Sequence, residues 1–166
     1  MELIKVNGRV NKKRLIFHVL APIIGGSITG WLANRKAQEK FKRLEQPSFS
    51  PPAAVFPVAW TTLYGLMGLA KYRISETEKQ TTIDSIPLYE LQLGLNYMWS
   101  FLFFKWNLRG TALMEMTALL GMIMITTYVF YKKDRVAGTL MIPYIGWVTF
   151  ALGLNYSFWK LNKSIS

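Results

Sequence analysis

The chain has 166 residues, 51% hydrophobic and 14% aromatic, and its 20 Lys and Arg against 9 Asp and Glu give a net charge of +11. A mean hydropathy of only +0.19 hides a sharp segregation of apolar from charged residues, and long apolar runs in so short a chain leave no room for a water-soluble core. Cysteine is absent, which removes disulfides and thiol catalysis, and the single His18 has no acidic or thiol neighbour in its segment with which to build a triad or a metal centre.

In chain order, a basic extension (residues 1–14) leads into an uncharged run at 15–34. The basic residues ahead of it imitate a signal peptide, but the run exceeds the ~7–15 residues of a signal core and lacks a small-residue cleavage site, so a membrane span is expected. Pro22, Gly26 and Gly30 recur at intervals of four with Gly25 alongside, which leaves one face nearly bare backbone for the close approach of a helix or a flat ligand. The first loop, 35–52, opens with RKAQEKFKRLEQ, whose composition predicts a short interfacial helix. It continues as QPSFSPP, where Pro47, Pro51 and Pro52 cannot extend a helix and predict a stiff lid across the bundle mouth. Pro52 is suited to opening the second span, and Pro57 lies near enough to its start to be tolerated or to bend it slightly.

Further spans are expected at 53–72, 87–105, 111–131 and 137–160, with Glu90 and Glu115 as the carboxylates inside the third and fourth. Each is near the length that crosses ~30 Å of hydrocarbon as a helix. The expected fold class is therefore an all-α integral membrane protein, a five-transmembrane-helix bundle forming one domain over 1–166. The links are too short for a soluble catalytic domain. No internal repeat is visible, and five spans do not divide into two equal halves as in a symmetric secondary transporter.

The basic residues are scattered over every link and both termini, which predicts headgroup contact and no nucleic-acid partner. Eleven Lys and Arg would fall on one side of a five-span bundle and nine on the other, a balance that does not orient it.

Tryptophan carries the sharper signal. Trp31, Trp106 and Trp159 lie near span ends, where an interfacial belt explains them. Trp60, Trp99 and Trp147 lie inside spans two, three and five. Trp60 and Tyr64 share a face with Gly68 a turn further on; Trp147, Ala151 and Leu154 repeat at helical spacing beside Pro143 and Tyr144; and flat rings beside small residues make a slot. Asn96 precedes Trp99 by three, and an amide in hydrocarbon needs a partner, for which Asn155 is the natural candidate. Glu115 is either a functional intramembrane acid or an interfacial one.

The run PSFSPP at 47–52, FPVAWTTLYGLMG from Phe56, LNYMWSFLFF from Leu95 and PYIGWVTFALGLNYSFWKLN from Pro143 resemble, in order and spacing, the translocator protein family, also called tryptophan-rich sensory proteins or peripheral benzodiazepine receptors. The match covers roughly residues 21–162. It implies five helices around a ligand pocket, usually in a homodimer. Expected partners are porphyrins such as protoporphyrin IX, isoquinoline- and benzodiazepine-type drugs, sterol in mitochondrial members, and the lipid bilayer. No metal and no resident cofactor is implied.

By that resemblance the ligand-binding positions are Gly30, Phe49, Pro51, Phe56, Trp60, Tyr64, Asn96, Trp99, Glu115, Trp147, Ala151 and Leu154, with Leu154, Tyr156 and Lys160 in the order of the weak sterol motif. The chain departs from the family where Phe41 and Lys42 replace a Trp-Tyr pair and Gln46 a lysine. Ser100 and Phe101 stand where a proline is common, which predicts a straighter third helix and a narrower pocket. The expected location is a bacterial cell membrane, in preference to a mitochondrial outer membrane, with the C-terminus in the cytosol.

Three functions compete. The first is binding, sensing or transport of a tetrapyrrole; the second is light-dependent porphyrin degradation with Trp60 and Trp147 as redox-active side chains; the third is an interaction scaffold with a vestigial pocket.

Overall fold

The computed structural model describes residues 2–34, 43–77 and 85–163. The expected interfacial helix falls mostly on 35–42 and, with Phe41 and Lys42, lies outside the described residues.

Five long helices make up the described fold, and no strand is present among those residues: α1 (Lys12–Asn34), α2 (Val55–Thr77), α3 (Ile86–Ser100), α4 (Arg109–Lys133) and α5 (Arg135–Leu161). Three of them, α1 over Lys12–Ala33, α4 and α5, are long and apolar enough to cross a membrane. α5 is the hub: it packs along α4 and across α2, while α1 rides on α2 and α3 on α4. The interior is lined by Met67, Tyr72, Ile74, Tyr89, Met116, Ile123, Phe130, Met141, Tyr144 and Val148, and the outside carries Ile16, Phe17, Ile24, Val58, Met114 and Tyr128. An apolar exterior over a partly polar interior suits a chain solvated by lipid.

Several helix ends run beyond the uncharged segments. Lys12, Lys13 and Arg14 join α1, where the Asn11 carboxamide oxygen accepts from the Arg14 N–H at 3.2 Å and the Asn11 N–H donates to the Tyr72 hydroxyl at 2.9 Å. The extension before it is folded as well. Val6 and Arg9 exchange backbone hydrogen bonds at 3.0 Å around Asn7 and Gly8, both at positive φ (50° and 75°), the Asn-Gly chemistry of a tight reverse turn.

Arg73 corrects the expectation that every basic residue faces headgroups. It is buried in the last turns of α2, where its Nε donates to Asp134 at 2.9 Å and its Nη1 to the carbonyls of Leu3 and Lys5 at 2.8 and 2.9 Å. The other Asp134 oxygen caps α5 by accepting from the Ala137 N–H at 3.0 Å. One ion pair thus joins the N-terminal extension, α2 and the α4–α5 junction.

The expectation of a straighter third helix is also corrected. Past Ser100 the backbone widens into a π-type turn over Phe101–Lys105, with the Trp106 N–H reaching the Phe101 carbonyl and the Leu108 N–H reaching that of Leu102, both at 2.9 Å. The wide turn lets Trp99, Phe103 and Phe104 pack as one cluster, with ring centroids 4.9–5.7 Å apart.

Glycines set how closely α1 and α2 approach. Gly68, expected to widen a slot, is instead a helix contact: a Cβ there would lie 2.3 Å from the His18 carbonyl oxygen. Gly26 receives the Tyr64 ring and Gly25 the Tyr97 hydroxyl, which donates to the Pro22 carbonyl at 2.9 Å.

Candidate functional site: an aromatic slot under a proline lid

Pro57 falls in the first turn of α2, where its missing N–H costs nothing, so the helix starts cleanly at Val55 and sends Phe56, Trp60 and Tyr64 down one face at intervals of four. α5 opposes them with Tyr144, Trp147 and Ala151. The rings converge. Trp60 stacks on Tyr64 at 5.5 Å, and it meets Tyr144 edge-on at 6.3 Å and Trp147 edge-on at 6.4 Å, while Phe56 meets Trp147 at 6.0 Å. Such geometries are favourable beyond area alone.

The lid lies over this cluster. The Ser50 N–H donates to the Pro47 carbonyl at 2.9 Å, closing a turn that exposes Phe49 toward Phe150 (6.3 Å), which in turn contacts Trp147 (5.6 Å). Pro51 is half-buried beneath. The anchor is Asn162, buried at the C-cap of α5. Its oxygen accepts from the Glu45 N–H at 2.9 Å, and its nitrogen donates to the Glu45 carbonyl at 3.0 Å and to that of Phe158 at 2.9 Å. Two bonds to one backbone residue pin the lid to the helix that carries Trp147. Removing them in Asn162→Ala is expected to speed hydrogen exchange of the Glu45 amide about tenfold or more, at roughly 1 kcal/mol per bond. Unchanged exchange would mean the lid is held elsewhere.

The two amides do not pair as expected. The Tyr64 hydroxyl donates to the Asn96 oxygen at 2.7 Å. Asn155, with its amide oriented to satisfy its neighbours, accepts from the Trp99 indole N–H and from the Leu113 N–H, both at 3.3 Å. The two amides serve different layers: Asn96 ties α3 to α2 inside the slot, and Asn155 of α5 ties to Trp99 of α3 and Leu113 of α4. Trp99 is therefore turned toward Phe103 and Asn155 and makes no ring contact with Trp60 or Trp147 among the described residues. Leu154 shares this second layer, in one apolar cluster with Leu102, Phe103, Ala112 and Phe158.

Gly30 sits half-buried on α1. Both Glu115 oxygens are shielded from solvent and make no hydrogen bond among the described residues. The indole N–H of Trp147 is similarly buried and unpartnered. The sterol triad does not form one surface. Leu154 is buried, whereas Tyr156 and Lys160, on the opposite side of α5, are exposed. His18 packs between Phe17 and Tyr72, with its Nε2 3.3 Å from the Ser75 hydroxyl.

Sequence reading passed over Phe150, Tyr97, Asn162 and the pair Tyr89 and Gln92. The last two had a usable signal, since Tyr89, Gln92 and Asn96 are at helical spacing on one face of an apolar segment.

Comparison with known proteins identifies the family. The profile of the TspO/MBR family matches residues 18–160. The chain is 36% identical over 127 residues to a tryptophan-rich sensory protein of Cereibacter sphaeroides, covering 76% of this chain and 79% of that one. It is 31% identical over 153 residues to the tryptophan-rich protein TspO of Archaeoglobus fulgidus (92% and 99% covered) and 32% identical over 148 residues to the translocator protein of Homo sapiens (86% of each). With an all-helical bundle, membrane-length apolar helices and a profile match over nearly its whole length, the chain belongs to the TspO/MBR family.

Proposed function

We propose that the protein binds a flat hydrophobic tetrapyrrole, of which protoporphyrin IX is the test case, between α2 and α5, and that it serves tetrapyrrole sensing or transport. The observation that carries this reading is the convergence of Phe56, Trp60, Tyr64, Tyr144 and Trp147 beneath a pinned lid, with the Trp147 indole N–H left for a guest to satisfy. Broad ring faces supply contact area at little conformational cost, and a preformed lid lowers the ordering cost of binding. A kinship with proteins named sensory and translocator supports the same reading. Gly30, Phe49, Pro51, Asn96, Glu115 and Ala151 complete the proposed pocket, Trp99 and Leu154 back it from the second layer, and isoquinoline- or benzodiazepine-type compounds are proposed as competing ligands.

In this reading all five helices cross a bacterial cell membrane. α2 and α3 have lower apolarity because of charges that are already paired: Arg14 with Glu76 at 3.1 Å, Lys71 with Glu90, and Arg73 with Asp134. The exposed apolar face of α1, with Ile16, Leu20, Ile24, Ile28 and Trp31, suits lipid or a second copy in a homodimer.

Titrating protoporphyrin IX into purified protein should quench tryptophan fluorescence saturably, and Trp60→Phe with Trp147→Phe should weaken binding at least tenfold. Undiminished affinity in the double variant would remove the slot from consideration.

A further inference from the structure

The family profile begins at residue 18, and the basic extension ahead of it is nonetheless folded against the bundle. Both of its ends land on neighbouring residues of α2: the Leu3 and Lys5 carbonyls accept from Arg73 at 2.8 and 2.9 Å, and the Asn11 N–H donates to the Tyr72 hydroxyl at 2.9 Å. Between them Val6 is buried, and the turn at Asn7 and Gly8 returns the chain to Arg9. Arg14 adds a third tether through Glu76 at 3.1 Å. A segment held at three points presents its remaining side chains with much of their ordering cost already met.

Those side chains are positive. Arg9, Lys12 and Lys13 fall within five consecutive residues, all are exposed, and none has a carboxylate partner among the described residues. Glu76, Glu90 and Asp134, at the same end of the bundle, are already taken by Arg14, Lys71 and Arg73. On the same folded segment Leu3 is 55% exposed, an apolar side chain that a purely electrostatic partner would leave in water.

Depth in the membrane decides what meets this surface. Lys12 and Lys13 stand in the first turn of α1, about 3–5 Å along the axis from Leu15, where the uncharged run begins. The exposed Ile16, Phe17 and Leu20 that follow belong in hydrocarbon, so the two ammonium groups are held at the level of the lipid phosphates.

We infer that the folded N-terminal extension is a docking site for anionic phospholipid, with Arg9, Lys12 and Lys13 on the phosphate and headgroup and Leu3 against the upper acyl chains. Arg9 can take a phosphate through two N–H groups at once, and the lysines act as point charges. It is a built site, unlike the diffuse contact of scattered basic residues, because Tyr72, Arg73 and Glu76 fix where the charges stand. Each Lys or Arg near an anionic surface contributes about fivefold in affinity.

The full chain in detergent is titrated with phosphatidylglycerol and with phosphatidylcholine of the same acyl chains, and bound lipid is counted by native mass spectrometry. Wild type should prefer phosphatidylglycerol about tenfold or more, and the preference should shrink as salt brings the screening length below ~10 Å. Arg9→Gln with Lys12→Gln and Lys13→Gln should bring the two lipids within about threefold, whereas Lys12→Arg with Lys13→Arg should keep the preference. Leu3→Ser should weaken both lipids by a similar factor and leave their ratio unchanged. A matched control, Lys105→Gln with Lys160→Gln and Lys163→Gln at the opposite end, removes the same charge and should also keep the preference. Equal losses in the two triple variants, or no preference in wild type, would overturn a site in the extension. A polyglutamate peptide that binds wild type more tightly than phosphatidylglycerol does, and is lost in the first triple variant, would replace the lipid with a soluble polyanion. Porphyrin affinity should be the same in all these variants, since none alters the slot, so the outcome is independent of the slot reading.

Discussion

Asp134→Ala is expected to lower stability by about 3–5 kcal/mol, one of the largest losses available to a single substitution in this chain, because it strands the buried Arg73 guanidinium without its carboxylate. The two side chains are 10% and 9% exposed and meet at 2.9 Å, so the lost attraction is not replaced by solvent. A further part of the loss, about 1 kcal/mol, comes from the N-cap that Asp134 provides to α5. Arg73→Ala should cost a similar amount, since it also takes the donors from the Leu3 and Lys5 carbonyls and releases the folded extension. The double variant Arg73→Met with Asp134→Leu should recover much of the loss, because it removes both charges together. Thermal unfolding in one detergent would measure all three; a loss under about 1 kcal/mol in Asp134→Ala would show that water reaches the pair.

The second large effect is expected from Gly68→Ala. The added carbon would sit 2.3 Å from the His18 carbonyl oxygen and 2.7 Å from the Val19 Cα, and backbone atoms cannot rotate aside as a side chain can. α1 must move off α2, at a cost of about 1–3 kcal/mol or more. The displacement should also reach the slot, because the Tyr64 ring that stacks on Trp60 rests against Gly26 of α1. Porphyrin affinity should therefore fall together with stability. Gly65→Ala is the control: its nearest neighbour would be Ile23 Cδ1 at 4.0 Å, and a better helix former there should be neutral or slightly stabilising. Equal effects at 65 and 68 would refute the close backbone contact.

Much of this molecule was legible before any coordinates. Uncharged runs separated by charged links state where helices lie, since hydrocarbon-length apolar segments have no other stable backbone solution. The spacing of Trp60 with Tyr64 and of Trp147 with Ala151 placed those residues on common helix faces, and the prolines at 47, 51 and 52 announced a non-helical stretch ahead of the second span. These are local properties, governed by periodicity and by proline's fixed backbone.

The pairings between helices belonged to the tertiary structure. Asn96 was recognisable as needing a partner, but only the rotation of α2 about its axis decides that the partner is Tyr64 and that Asn155 goes to Trp99. Gly68 and Gly26 are alike on paper as small residues, yet one receives a backbone and the other a tyrosine ring. Arg73 reads as a charge at a span end, and it is buried only because Asp134, 61 residues away, arrives at the same point. The physical reason is common to all of these cases. Hydrophobic periodicity depends on burial alone and is blind to which element does the burying, whereas hydrogen bonds, ion pairs and close backbone contacts are directional and short-ranged, so a rotation or shift of one helix by a fraction of a turn changes every partner.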